Sequence, residues 1–402
     1  KALFEHNGDQ YEGSWFDANF KASEANEDGK EDRIFDEARA QEIVARLPGK
    51  PAVASETRKP SKEAAPGLFD LTSLQREANR RFGWSAKRTL NAAQRCYEAH
   101  KILTYPRTDA KALPVDYRPV VDDILESLKA DERFSAACTR LQKDGLLNEA
   151  KIFDDSKITD HFAIVPTGEM PPEGLSGDDA RVFDLVTRRF LGAFHPPAIW
   201  SRVERVTVAD NEHFRSRSKV IQVLGWREVL GEADKNTVGL LPLIPDQTVA
   251  EGVPVLDKTY EVVTDETKPL PRINEARMLS LMENAGKHIE DEEAAEAMGD
   301  SGIGTPATRA DIIENLIRKG YVLRAGKALK PSVKGIRLID ILHRMHAERL
   351  ASPALTGELE KHLGDVERGA MTQDGFMAEI YQYASEIVDL TKNFEFDELF
   401  PD

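Results

Sequence analysis

The sequence predicts a multidomain α+β protein in which two β-rich stretches alternate with helical ones. Aromatic and polar residues alternate in residues 1–20, and valines alternate from Ser201 to about Val263, as they do in short strands. Between these stretches, and again after Pro269 and Pro271, apolar residues recur at helical spacing. A chain of 402 residues is too long for one simple core, so we expect two to four domains.

Composition argues against membrane-spanning and disulfide-rich classes. No apolar run approaches the ~20 residues that span a bilayer, and the first residues show no signal-peptide pattern. Cys96 and Cys138 are the only cysteines, too few for a disulfide framework or a cysteine zinc site. We therefore expect a reducing, cytoplasmic compartment and no membrane partner.

Charge is segregated along the chain. The net charge of −16 argues against a nucleic-acid partner, but binding depends on the local field rather than on the average. Residues 71–120 contain ten Lys/Arg and four Asp/Glu, whereas residues 356–402 contain three and twelve. The basic block makes nucleic acid a plausible ligand of the first region.

The first elements are delimited by caps and breakers. Residues 21–33 indicate a loop, and Phe35 to Leu47 indicates a helix with Asp36 as its N-cap. Pro51 to Thr57 indicates a strand, and the polar, Pro-containing run from Arg58 to Pro66 indicates a linker or a crossing between domains.

A helix pair follows. Thr72 is the expected N-cap of the first helix, which Gly83 ends, and Ser85 is the expected N-cap of the second. Six basic residues fall largely off the apolar stripes of both helices. They are Arg76, Arg80, Arg81, Lys87, Arg88 and Arg95. These residues could form a surface that binds the phosphates of a nucleic-acid strand, or they could simply lie on a solvated helix face.

The remaining elements are mostly helical. Further helices are predicted at 119–130, 135–144, 178–191, 275–284 and 309–319, with a charged insertion at 287–300. Residues 321–330 indicate a small hairpin followed by a helix from Val333, an arrangement that resembles a winged helix. Residues 395–402 indicate an acidic tail that contributes to solubility. No Walker sequence is present, so no ATP site is expected.

The segment Leu103 to Asp109 carries the strongest chemical signal. Tyr105 precedes Pro106, which disfavours a helical backbone at the tyrosine, and Arg107 follows two residues later. A phenol is a weak nucleophile at neutral pH, but a guanidinium beside it favours the phenolate and the charge that develops on a phosphate. The pattern fits a nucleophile beside a phosphate-binding cation, and it also fits a surface Tyr-Pro turn.

Two further residues are candidates for phosphate contact. His161 lies between Asp160 and Phe162 and could donate a hydrogen bond to a phosphate oxygen, although a lone histidine is more often structural. Thr308 follows a Gly/Pro turn at the start of a helix, where backbone N–H groups favour anions. It could equally serve as an N-cap.

Four segments together resemble type IA DNA topoisomerases, and most nearly the bacterial topoisomerase III group. They are residues 70–76, 102–109, 160–167 and 302–310. The resemblance implies that Tyr105 attacks a backbone phosphate of single-stranded DNA and forms a 5′-phosphotyrosine link. Strand passage and religation without ATP would follow. Arg107 and His161 would join Tyr105 at the scissile phosphate. Contacts with other phosphates would come from Thr308, Arg309, Arg76, Arg80 and Arg88.

The resemblance also implies a toroidal fold, to which four long stretches of this chain would contribute. Residues 1–67 and 196–270 would form the β arch, residues 68–195 the winged-helix-like gate domain, and residues 271–402 part of the helical base that grips single-stranded DNA. The N-terminal Toprim domain of this family, which binds Mg²⁺, has no counterpart in residues 1–67. We therefore expect a fragment without metal ligands of its own that binds single-stranded DNA weakly and does not cleave it.

The expected location is the nucleoid-associated bacterial cytoplasm, and the expected state is monomeric. A non-catalytic single-stranded nucleic-acid clamp is the main alternative function. A tyrosine recombinase is disfavoured, because the tyrosine comes early and no His-x-x-Arg array precedes it. A purely structural acidic protein is disfavoured by the basic block.

Overall fold

The computed structural model describes residues 1–21, 29–230, 252–289 and 302–392, with isolated positions between 237 and 244 and between 292 and 298. The chain forms two compact units, each assembled from two separate stretches of sequence. Unit 1 contains residues 1–66 and 191–270, and unit 2 contains residues 67–190 and 271–402.

Unit 1 is built on an antiparallel sheet. Its strands are β1 (Ala2–His6), β2 (Asp9–Phe16), β3 (Ala52–Glu63), β4 (Ala198–Ala209), β5 (Glu212–Val223), β6 (Thr237–Val238) and β7 (Val253–Tyr260). The strand order is β2-β1-β7-β3-β4-β5-β6, and an additional pairing of β2 with β5 closes six of the strands into a ring. Closure leaves one face of each strand inside the ring and the other outside.

Local sequence explains two of the turns of this sheet. Asn7 and Gly8 join β1 to β2 with φ of 52° and 92°, and Asp210 and Asn211 join β4 to β5 with φ of 48° and 65°. Two-residue hairpin loops of this kind need positive φ at both positions, which Asn, Asp and Gly adopt most readily. Helix α1 (Glu37–Arg46) lies between β2 and β3, and Asp36 caps it as predicted.

The predicted linker from Arg58 to Pro66 is wrong over its first half. Strand β3 continues to Glu63, and residues 52–63 pair without interruption with β4. Strand β7 covers the other edge of β3 only at residues 52–54. Beyond that point the strand is paired on one side, so Pro60, which has no N–H, can be accommodated. The predicted β pattern around Val263 is also too long, since β7 ends at Tyr260.

The interior of the ring combines an apolar cluster with a buried ion pair. Phe4, Tyr11 and Phe214 belong to the cluster, and Phe4 stacks edge-on against Phe214 with 5.5 Å between centroids. Arg205 is fully buried and pairs with Glu56, and its guanidinium lies 4.2 Å from the centre of the Tyr11 ring. A buried charge needs such partners to offset its desolvation.

Unit 2 is mainly helical. Its helices are α2 (Leu71–Phe82), α3 (Ala86–Glu98), α4 (Arg118–Leu128), α5 (Glu132–Asp144), α6 (Glu149–Ile152), α7 (Gly177–Ala193, whose last three residues belong to unit 1), α8 (Glu275–Glu283), α9 (Pro306–Arg318), α10 (Val333–Arg344), α11 (Pro353–Glu367) and α12 (Gln373–Lys392). The predicted hairpin is present as β8 (Val322–Ala325) and β9 (Ala328–Pro331), and α10 follows it as predicted.

Capping explains both the agreements and the differences in helix bounds. Gly83 ends α2 with φ of 69°, and Ser85 caps α3, as predicted. The predicted N-cap Thr72 is wrong: Asp70 caps α2, and its carboxylate and the Ser73 hydroxyl form a reciprocal capping box. Thr72 lies within the first turn and is buried.

Two other helices start earlier than predicted. Helix α5 begins at Glu132 because Asp131 caps it, and α9 begins at Pro306 rather than at residue 309. Proline suits the first position of a helix, since its missing N–H would have no partner there.

Some predictions lie outside the described residues. Much of the charged insertion at 287–300 and all of the acidic tail at 395–402 belong to this group. Within the described part of the chain, no helix is both long and apolar enough to cross a bilayer. Both cysteines are buried free thiols.

Candidate active site

The Tyr105 segment lies beside the His161 segment in unit 2. The Thr104 amide donates to the Val165 carbonyl at 3.0 Å, and the Thr167 amide donates to the Ile102 carbonyl at 3.2 Å. Neither segment belongs to a helix or a long strand, so these bonds fix their register. Two stretches that lie more than fifty residues apart in sequence are thereby held side by side.

The backbone of the Tyr105 segment is extended, and its burial alternates. Thr104, Pro106 and Thr108 are buried, whereas Tyr105 and Arg107 are half-buried. Successive side chains of an extended chain point to opposite sides. The nucleophile and cation candidates therefore share the more accessible side.

Two threonine hydroxyls attach the segment to its neighbour. Thr104 Oγ1 donates to the Ala163 carbonyl and accepts from the Val165 amide, both at 2.9 Å. Thr108 Oγ1 donates to the His161 carbonyl at 2.9 Å and accepts from the Ala110 amide at 3.0 Å. Since these threonines lie on either side of Tyr105, the tyrosine is held between two fixed points.

The Tyr105 ring contacts two other aromatic side chains. Its centroid lies 4.3 Å from that of His161 and 5.4 Å from that of Tyr97 on α3. The structure therefore brings together two of the sequence-predicted site residues, Tyr105 and His161. The imidazole is within reach of a group bound at the phenol.

Arg107 is held by a neutral partner. Its Nη2 donates to the Gln94 side-chain oxygen at 3.0 Å, and Gln94 in turn donates to Glu98 at 2.8 Å. Within the part of the chain that the structure describes, Arg107 makes no ion pair with a carboxylate. A guanidinium carries five N–H donors, so most of them remain available to an anion.

Thr308 and Arg309 lie in the first turn of α9. Thr308 is the fourth residue of a capping box: its hydroxyl accepts from the Thr305 amide at 2.9 Å. Arg309 is only 4% exposed and donates from Nη1 to the Thr72 hydroxyl at 3.0 Å. Burial lowers the pKa of the Arg309 guanidinium. Thr308 thus closes the first turn of α9, and Arg309 anchors that turn against α2.

A cavity of about 610 Å³ joins the end of the Tyr105 segment to the start of α9. Asp109 and Lys111 line it on one side, and Thr305, Pro306 and Arg309 on the other. The Lys111 ammonium lies 3.4 Å from the Asp70 carboxylate and 3.8 Å from that of Glu283. Of the predicted site residues, Arg309 lines this cavity.

The six cations of α2 and α3 are each paired with a carboxylate. The pairs are Arg76–Glu283, Arg80–Glu77, Arg81–Glu77, Lys87–Asp311, Arg88–Asp178 and Arg95–Asp179, at 2.5 to 3.3 Å. The basic block of the sequence is therefore largely neutralised in the folded unit. A phosphate at Arg76, Arg80 or Arg88 would have to replace an existing partner.

The chain resembles DNA topoisomerases along most of its length. A family model described as DNA topoisomerase matches residues 6–378. The chain belongs to the DNA topoisomerase family.

Named relatives and a solved structure agree with this membership. DNA topoisomerase 3 of Bacillus licheniformis is 35% identical over 364 residues, which are 89% of this chain and 49% of the relative. DNA topoisomerase 3 of Shouchella clausii is 37% identical over 373 residues, 90% of this chain and 49% of the relative. Full-length topoisomerase I from Thermotoga maritima superposes with a TM-score of 0.64 at 25% identity, covering 91% of this chain and 57% of that one.

These findings confirm the predicted resemblance to type IA topoisomerases of the topoisomerase III group. The chain spans about half the length of the curated relatives it matches. Among the residues that the structure describes, no three His, Cys, Asp or Glu side chains converge as a metal site would require.

Sequence reasoning missed the residues that support the candidate site. Gln94, Thr104 and Thr108 were not singled out, and neither was Tyr97. The spacing of the two threonines offered a signal, because residues 104, 106 and 108 share one side of an extended segment with Tyr105 and Arg107 on the other. Gln94 offered none, since its contact with Arg107 depends on how α3 packs.

Proposed function

We propose that this chain supplies the nucleophile of a type IA DNA topoisomerase, which cuts one strand, lets a second strand pass and reseals the break without ATP. The Tyr105 phenolic oxygen attacks a backbone phosphorus of single-stranded DNA. The phenol gives up its proton as a tyrosine O–P bond forms and the P–O3′ bond breaks, so the strand whose 5′ phosphate lies at the break is held on the protein. The departing 3′ oxygen takes up a proton, and its later attack on the same phosphorus restores the strand and the phenol.

One observation carries the proposal: Tyr105 shares the accessible side of an extended segment with Arg107, a cation that no carboxylate among the described residues neutralises. A phosphodiester retains one negative charge, and more charge develops on its oxygens as the phenol attacks. A guanidinium that is already oriented by Gln94 loses little freedom when it binds these oxygens. The cations of α2 and α3 are already paired with carboxylates, so they are less able to bind these oxygens.

The other roles follow from position. His161, in ring contact with Tyr105, donates a hydrogen bond to an oxygen of the scissile phosphate or to the departing 3′ oxygen. Thr308 contacts a neighbouring phosphate at the start of α9, where the positive end of the helix dipole favours anions. Arg309 supports that turn from its buried position, and Arg76, Arg80 and Arg88 form a secondary surface for the strand.

Finer features are proposed from family membership. Residues 1–67 and 196–270 act as the β arch of a toroid, 68–195 as the gate domain and 271–402 as part of a base containing a winged helix. The enzyme works as a monomer on single-stranded DNA in the bacterial nucleoid. Magnesium would be held by residues other than those that the structure describes, since no three metal-binding side chains converge among the latter.

Covalent capture of DNA tests the proposal directly. The longest protein expressed from the gene is incubated with Mg²⁺ and a 5′-labelled or 3′-labelled single-stranded oligonucleotide, then denatured in detergent. We expect a protein-linked product that retains the 3′ label, because the 5′ phosphate at the break stays on the protein. Tyr105→Phe should abolish the product without weakening binding of the oligonucleotide.

Tyr97→Phe is the matched control, because Tyr97 loses the same hydroxyl from a ring that touches Tyr105. It should leave capture in place. An adduct that persists in Tyr105→Phe would refute the assigned nucleophile. Tight strand binding with no adduct in the unsubstituted protein would instead favour a non-catalytic clamp.

A further inference from the structure

Three cations form a row across the outer face of the unit 1 sheet. Lys59 on β3 pairs in register with Arg202 on β4, and Arg202 pairs with Lys219 on β5. Adjacent strands lie about 4.8 Å apart, so three positive charges stand side by side over about 10 Å. Like charges directly opposite each other on neighbouring strands destabilise a sheet, so this row is unfavourable unless an anion lies on it.

The row is at most partly neutralised within the protein. Among the described residues, neither Lys59 nor Arg202 has an ion-pair partner, and the Lys219 ammonium lies 3.6 Å from the centre of the Trp200 ring. Glu63 attracts Lys219 at one end of the row, but it is already bound by Arg227 at 2.7 Å. Glu204, a second acid on this face, occupies the adjacent row opposite Thr57. It is already engaged by Arg217 at 2.8 Å and by Arg215 at 3.7 Å.

The row borders a groove that has room for a ligand. The groove has a volume of about 600 Å³, and its lining includes the row itself and, from the adjacent row, Thr57, Glu204 and Arg217. Lys59, Arg202 and Arg217 are exposed, so their charged groups can reach a ligand without a change in the backbone. The Thr57 hydroxyl adds a hydrogen-bond donor at the same face.

The setting makes this positive patch unusual for the molecule. The chain as a whole carries a net charge of −16, and the six cations of α2 and α3 are each paired with a carboxylate. The row on unit 1 is therefore a local positive field in an acidic protein. Such a field attracts polyanions even when the average charge repels them.

We propose that the Lys59–Arg202–Lys219 row is a second DNA site, which binds a phosphodiester backbone and takes no part in the chemistry at Tyr105. The choice of DNA as the polyanion rests on the proposed function. Phosphates of one B-form strand repeat every ~3.4 Å along the helix axis, so a row of about 10 Å faces about three of them. The contacts are with phosphates alone, and the site is therefore independent of base sequence.

Salt dependence of binding tests the site. The 402-residue chain and its K59Q/R202Q/K219Q variant are titrated against single-stranded and duplex oligonucleotides at several salt concentrations, with fluorescence anisotropy as the readout. Loss of three phosphate contacts should reduce the slope of log K against log salt by about 2.7 for duplex or by about 2.1 for a single strand. The form of DNA for which the slope falls by this amount is the form that lies on the row.

A second triple variant controls for the change in net charge. K143Q/K151Q/K268Q removes three exposed lysines that are scattered over the chain and that likewise have no ion-pair partner among the described residues. It should leave the slope almost unchanged. The row variant should also melt no lower than the unsubstituted chain, since like-charge repulsion is relieved.

The outcomes separate this site from the proposed function. Equal slopes for the row variant and the unsubstituted chain on both forms of DNA would overturn the second site, as would an equal fall in the scattered-lysine control. Covalent capture of a short oligonucleotide by the longest gene product should survive K59Q/R202Q/K219Q. Loss of capture only in Tyr105→Phe, together with an unchanged slope, would leave the nucleophile in place and refute the row.

Discussion

Replacing Thr108 by valine removes one hydroxyl beside the proposed nucleophile while keeping the shape of the side chain. That hydroxyl donates to the His161 carbonyl and accepts from the Ala110 amide. Thr108 is 3% exposed, so water cannot easily replace it. The change therefore tests whether the Tyr105 segment is held in place by this side chain.

The magnitude follows from the two hydrogen bonds. Each contributes about 0.5–1.5 kcal/mol net, and the buried Ala110 N–H that is left without a partner adds about 1–3 kcal/mol. The added methyl group of valine returns about 0.8 kcal/mol. Together these terms give a range of about 1–5 kcal/mol, and we expect Thr108→Val to destabilise the segment by about 3 kcal/mol, the middle of that range. Thr108→Ser keeps both bonds and loses one methyl group, so it should cost about 1 kcal/mol.

Hydrogen exchange followed by mass spectrometry measures this locally, which matters because two units need not unfold together. Peptides covering residues 102–110 and 161–167 should exchange about 150-fold faster in Thr108→Val, since ~1.4 kcal/mol is a factor of ten. Peptides from β4 and β5 in unit 1 serve as internal controls. The reasoning fails if Thr108→Val and Thr108→Ser exchange at the same rate.

Two further predictions concern stability in unit 2. Burial raises the pKa of Glu77, but hydrogen bonds from the two arginines at the end of α2 outweigh it and lower that pKa to about 2. The stabilisation that Glu77 provides is therefore complete above about pH 4.5 and is lost as pH falls toward 2. Glu77→Gln should lower the free energy of unfolding by about 1–2 kcal/mol at pH 7, a value discounted because one of the two arginines is exposed. In urea titrations at several pH values, the variant should lose less stability between pH 4.5 and pH 2 than the unsubstituted chain. Gly302 has φ of +66°, and an added Cβ would meet the Met282 carbonyl oxygen at 2.5 Å. Gly302→Ala should thus lower the free energy of unfolding by about 2–4 kcal/mol. Gly320→Ala is the control, because φ is +75° there but no atom lies near the added Cβ, and it should cost about 1 kcal/mol. Equal losses in the two variants would contradict the predicted clash.

Local sequence was sufficient wherever a few neighbouring residues decide the structure. Asp36, Ser85 and Gly83 delimit helices through contacts within one turn, and they were predicted correctly. The β8–β9 hairpin was predicted for the same reason. Thr72 was a wrong choice of cap because Asp70, two residues earlier, forms a reciprocal box with Ser73. Two acceptable caps in one short stretch cannot be ranked by residue type alone.

Strand β3 shows where local patterns fail. Residues 58–63 are polar and include Pro60, a composition typical of a linker. They form a strand because β4, more than 130 residues later, offers a full set of hydrogen-bond partners on one side. Pairing over such a distance leaves no trace in the sequence of the strand itself.

For the site, the sequence by itself determined which reactive and phosphate-binding residue types are present and in which order. Pro106 keeps Tyr105 extended, and Arg107 follows two residues later. His161 and Thr308 each lie in a motif of their own. Alternation along an extended chain is a local property, so Tyr105 and Arg107 had to share one side. Family membership was equally readable from the sequence.

Only the tertiary structure decided which charges remain available. Arg88 is neutralised by Asp178 and Arg95 by Asp179, residues more than eighty positions away, so the most basic part of the sequence is not the most basic surface. Arg202, which no sequence pattern distinguished, stands between two lysines because three strands align there. Charge acts through distance in space, and the fold alone sets that distance.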